Sequence, residues 1–114
     1  MNNIPKDISS TFQDALRAYG AGSYTGCVCV CRNIIEGLVQ EQCTKEGIKE
    51  NGLNRQINAL ISVKKIERQH NQTLLNTLTV LGNRSAHSTT EVFTKEKASL
   101  VLNGLLILME EVFT

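Results

Sequence analysis

Cys27-Val28-Cys29-Val30-Cys31-Arg32-Asn33-Ile34-Ile35-Glu36-Gly37-Leu38-Val39 decides the fold, because its two halves point to different secondary structures. Val28 and Val30 alternate with cysteines, and β-branched residues at period two favour a strand. From Cys27 onward, however, Val28, Cys31, Ile34, Ile35, Leu38 and Val39 recur at the 3.6-residue period of a helix. That stripe is wide and continues beyond any ordinary strand, so the segment is a helix with a central place in its bundle. On a helix Cys27 and Cys31 share a face and Cys29 points elsewhere. The trio cannot converge on one metal ion. Cys43 lies three turns further on, and the two histidines are distant in sequence, so the ligand spacing of a zinc site is missing. Reduced thiols packed as small apolar groups are expected, with no metal and no disulfide.

Four further helices are read on either side. The first carries Ile8, Phe12, Ala15, Leu16 and Tyr19 on one face, follows Pro5, and stops at Gly20-Ala21-Gly22, with proline before and glycine after in the usual order. Ser23 is placed to cap the central helix, which ends near Gly47. Beyond Asn51-Gly52 a shorter helix holds Leu53, Ile57, Leu60 and Ile61, followed by a small basic connection through Lys64, Lys65 and Arg68. The fourth carries Leu74, Leu75, Leu78 and Leu81 up to Gly82. After a turn at Ser88-Thr89-Thr90, Thr94 caps a last helix with Ala98, Val101, Leu102, Leu105, Leu106, Met109, Val112 and Phe113. Leu100, Ile107 and Leu108 flank that stripe, so the last helix is apolar nearly all round: either it is central, or it is shared with a second copy of the chain. The expected architecture is an all-α antiparallel bundle of about five helices, one domain over residues 1–114.

Composition agrees and sets limits on function. One proline and 4% aromatic residues are too few for a sandwich or barrel, so the core is aliphatic. Twelve basic and 11 acidic residues leave a net charge of +1, which gives no overall steering toward nucleic acid; a polyanion site would be a local patch. No apolar run reaches the length of a membrane span, and Met-Asn-Asn-Ile-Pro-Lys-Asp at the start lacks the regions of a secretory signal. A cytoplasmic protein without membrane contact is expected. No cofactor motif is present.

The chemistry-bearing residues form two groups. Arg32 and Glu36 stand one turn apart at the edge of the central stripe, where partial burial would make them satisfy each other. The second group is Gly82-Asn83-Arg84-Ser85-Ala86-His87. Were helical geometry to continue there, Asn83 and His87 would share a face. His87 would be an acid or base near neutrality, and Arg84 a ligand for phosphate or developing negative charge. A histidine at a helix end also simply caps carbonyls.

In order and spacing, these residues resemble the HEPN superfamily of helical nucleotide-binding domains. The likeness is closest to a branch found alone in bacteria or attached to restriction-enzyme subunits. The likeness runs through Pro5, Ile8, Ala15, Gly22-x-Tyr24, Arg32-x-x-x-Glu36, Leu53-x-x-x-Ile57-x-x-Leu60 and Gly82-Asn83-x-x-Ala86-His87. HEPN nucleases carry Arg-Asn-x-x-x-His and cut RNA without metal, the 2′-hydroxyl attacking the adjacent phosphate in a composite site of two protomers. The resemblance therefore implies His87 as acid/base, Asn83 as its companion, and Arg84 or Arg32 near the phosphate. Gly82 stands where the motif arginine belongs. Thr79 occupies the earlier position at which the branch often places one. Losing one charge-stabilising donor costs about a hundredfold in rate. The expectation is a noncatalytic HEPN-like homo-oligomer that binds RNA or a partner protein in bacterial defence or restriction, with a metal-independent endoribonuclease as the alternative.

Overall fold

The computed structural model describes residues 3–63, 65–82 and 92–113. They form five helices: α1 (Lys6–Gly20), α2 (Tyr24–Glu46), α3 (Leu53–Ser62), α4 (Asn71–Leu81) and α5 (Lys95–Phe113). A single 3-10 turn over Arg68–His70 leads into α4, inside the segment read from sequence as a basic connection. Among the described residues there is no strand, and the all-α bundle expected from the periodicity is present.

Two glycines with left-handed backbones end α1 and α2. Gly22 has φ 81°, which lets the Ser23 N–H reach back to the Ala18 carbonyl at 2.8 Å and the Gly22 N–H to that of Tyr19 at 3.1 Å. Gly47 has φ 69° and repeats the arrangement, with Ile48 N–H on Cys43 and Gly47 N–H on Thr44. Both are Schellman closures, in which two orphan carbonyls are satisfied by the outgoing chain. Ser23 makes no side-chain capping bond to α2. Its hydroxyl lies over Gly26, where an added Cβ would come within 2.7 Å of it. Thr94 does cap α5, accepting the Lys97 N–H at 3.2 Å.

α2 packs against α1, α5 and α3, while α4 packs chiefly against α5. Residues from all five helices join one apolar cluster. The last helix is apolar all round because it is sandwiched: Ala98, Val101, Leu102, Gly104, Leu105, Leu108 and Met109 are buried. Of the two readings left open by its sequence, central placement accounts for most of its apolar surface. Gly104 sets the α4–α5 distance, because a Cβ there would sit 2.0 Å from the Oγ1 and 2.8 Å from the Cβ of buried Thr77. The missing side chain lets the two backbones approach at that crossing. Among the described residues, no helix is long and apolar enough to cross a membrane.

Candidate functional site

Arg32 is one of the few charged side chains inside the bundle, 8% exposed. Its position follows from helical geometry: Val28, Arg32, Ile35 and Val39 recur along one face of α2, and all four are buried. The guanidinium donates to the backbone carbonyl of Leu81, the last residue of α4. A cation is thus held at the carbonyl end of a helix, the end whose partial charge is negative, and an orphan carbonyl gains a charged donor.

Glu36 does not share this environment. One turn beyond Arg32, it has rotated onto the solvent face with Cys29, Asn33 and Gln40, and is exposed. Among the described residues, the ion pairs do not include Arg32–Glu36. The expected mutual satisfaction of the pair is therefore corrected. Four residues on a helix is about 40° beyond a full turn, which at the edge of a stripe takes one partner inward and leaves the other outside. Arg32 finds its acceptor on α4 instead.

Asn83, Arg84 and His87, like the turn expected at Ser88–Thr90, lie outside the described residues. The chain on either side of them is anchored on α2. Leu81, one residue before Gly82, takes the Arg32 guanidinium. Phe93 donates its N–H to the Thr25 hydroxyl at 3.1 Å. Thr25 and Arg32 are seven residues, about two turns, apart on one face of α2. Gly82 also lines an open depression of ≈ 310 Å³ with Asn54, Asn58, Leu75, Leu78 and Thr79. None of these lining side chains is charged. Thr79 turns its hydroxyl onto the Leu75 carbonyl at 3.1 Å, and the Oδ1 of Asn54 is buried without a hydrogen-bond partner among the described residues.

Sequence reading missed a second polar contact, at the other end of α4. His70, directly before that helix, meets Glu111 of α5 through Nδ1 and Oε1; their side chains are 19% and 9% exposed. Glu111 also accepts the Glu67 N–H at 3.1 Å. Separated by 41 residues, the two carry no local signal beyond the interruption of an apolar helix end by Glu110-Glu111. Gln56 was missed as well. Buried, it donates to the Gln40 side chain at 2.9 Å and the Glu50 carbonyl at 3.2 Å, tying α3 to the end of α2.

All four thiols are unpaired, with Cys27, Cys31 and Cys43 buried and Cys29 exposed, the division expected from the helical reading. Burial pushes the Cys27, Cys31 and Cys43 thiols up from the ordinary value, and for Cys31 the neighbouring Cys27 adds to the effect. Raised thiols are poor nucleophiles and poor metal ligands, so they act as core.

No curated protein and no solved structure matches the chain. A family model described as a domain of unknown function, DUF4145, matches residues 13–114. That span takes in both anchors on α2, the depression beside Gly82 and the His70–Glu111 contact, and on it the chain belongs to the DUF4145 family.

Proposed function

We propose that the chain is a noncatalytic HEPN-like helical module, working as a homo-oligomer, that holds RNA or a partner protein in a bacterial defence or restriction setting. The defence setting rests on the resemblance of the motif series alone. One observation carries the noncatalytic part. Arg32, one of the two arginines offered in place of the missing motif arginine, is buried and donates to the Leu81 carbonyl, a structural use of its guanidinium at the end of α4. Among the described residues, those lining the depression beside Gly82 carry no charge, which supports the same reading, since transition-state charge on phosphate calls for cationic donors. For the oligomer, the support is that Leu100, Leu106 and Ile107 stay half-buried on α5 once the core is filled. Two measurements test the reading together. Solution mass at tens of micromolar should be that of a dimer, and RNA should be retarded in a native gel or a partner protein recovered with the chain. A monomer with neither overturns it.

The runner-up is a metal-independent endoribonuclease with His87 as acid/base, Asn83 orienting, and Arg84 on the phosphate. What favours it is that Arg32 and Thr25 hold the chain on both sides of residues 83–91 against one helix, as a composite site needs. It requires RNA cleavage that is indifferent to EDTA and abolished by His87→Ala.

A further inference from the structure

We propose that Glu67, His70 and Glu111 form a binding site for a divalent transition-metal ion of the zinc type. Each residue offers one ligand atom, and the three atoms lie within 4.8 Å of one another. Donors about 2.1 Å from a tetrahedral ion are about 3.4 Å apart, so closure on an ion asks the widest pair to draw in by at most about 1.4 Å and the touching His70 and Glu111 atoms to part. The site is built from two parts of the chain. Glu67 and His70 flank the 3-10 turn before α4, whose closing bond runs from the His70 N–H to the Glu67 carbonyl at 2.9 Å. Residues three apart eclipse on such a turn, which brings a carboxylate and an imidazole to the same side. Glu111 arrives from the last turns of α5, its backbone-to-carboxylate bond with Glu67 fixing the distance between the two elements.

Two features set this trio apart from a chance group of surface acids. First, the donor set is mixed. One imidazole with two carboxylates suits zinc and its neighbours rather than magnesium or calcium, and three protein ligands leave a position open. Second, Glu111 is 9% exposed and bonded to the backbone of the 3-10 turn, so its carboxylate is fixed in place by the fold rather than free on the surface. Lys65, which lines the same small hollow as Glu111, pairs with Glu46 at 3.5 Å. Gln69 holds the second oxygen of Glu67 at 2.7 Å, orienting that carboxylate as outer partners of metal ligands do.

The inference is independent of the role assigned to Arg32 and His87. The test is calorimetric titration of the full chain, expressed without a histidine tag, with zinc chloride, alongside its melting temperature with and without zinc. One ion per chain should bind and raise the melting temperature, and magnesium should do neither. His70→Ala and Glu67→Gln should each weaken zinc binding about tenfold or more, while Cys29→Ser, which removes the exposed thiol, leaves it unchanged. Glu67 is exposed, so its variant folds even where a change at Glu111 does not. No binding by the native chain, or binding untouched by His70→Ala and Glu67→Gln, overturns the proposal.

Discussion

The two ends of α4 are held by side chains from different helices, and each carries the charge that suits it. At the carbonyl end, Arg32 of α2 places a cation on Leu81. At the amide end, Glu111 of α5 places a carboxylate on His70 and the Glu67 N–H. An anion at the start and a cation at the finish both complement the helix dipole. α4 has 11 residues and a first turn without acidic residues, so it supplies neither charge itself. A short helix of this kind is marginal alone; here its termini are completed by its neighbours. The lesson for the functional reading is that a buried arginine beside a suggestive motif has a structural task to discharge before any chemical one.

Breaking the Arg32 end should have the largest effect. Arg32→Ala removes a charged donor from a buried carbonyl together with the packing of its stem, and should cost about 3 kcal/mol in urea unfolding. Arg32→Lys should recover less than half, because an ammonium cannot reproduce the guanidinium fork. A loss below about 1 kcal/mol would show that the contact does not stabilise the fold.

Gly104→Ala comes next. It strikes the α4–α5 crossing that positions both ends, and overpacking of this kind costs about 2 kcal/mol. Adding Thr77→Ala should restore part of the loss, because it removes the Oγ1 at 2.0 Å and the Cγ2 at 2.8 Å that the new methyl would meet. No restoration would mean that the strain lies in the backbones.

His70→Ala should cost about 1 kcal/mol in metal-free buffer, the worth of one partly buried bond. Combined with Arg32→Ala it should add to within about 0.5 kcal/mol, since the two ends of an 11-residue helix are about 16 Å apart. Marked coupling would show that α4 responds as one rigid lever.

The smallest effect concerns the thiols of α2. At neutral pH one of the four, Cys29, should react quickly with a disulfide reagent, and the other three only on unfolding. Because the folded values of Cys27, Cys31 and Cys43 lie above the ordinary 9.0, the native chain binds more protons than the unfolded one above that pH. Their contribution is therefore whole below about pH 9 and falls as pH rises beyond it. Rapid labelling of more than one thiol in the native state would contradict the burial.

Much of this comparison was legible in the sequence, though unequally. Helices declare themselves by period, and the stripe from Cys27 to Val39 had enough apolar positions to outweigh the strand preference of Val28 and Val30. The same period placed Cys29 outside. It also singled out Arg32, though with the wrong partner: near neighbours in sequence suggested Glu36, while the acceptor is a backbone carbonyl 49 residues away, invisible to any pattern of side chains. His70 and Glu111 went unread for the same reason. His70 interrupts no stripe and Glu111 only the apolar end of α5, and it is the folded placement of α5 beside the start of α4 that makes them neighbours. The close approach at Gly104 was hidden too, since a glycine inside an apolar helix reads as a weakness until the helix opposite is known.

The central functional claim is that Arg32 serves the end of α4 and that the chain grips without cutting. It is tested most directly by incubating end-labelled single-stranded RNA with the purified full chain in EDTA, beside His87→Ala, and resolving the products on a denaturing gel. Full-length RNA in both lanes is the expected result. Fragments made by the native chain and missing with His87→Ala would contradict it.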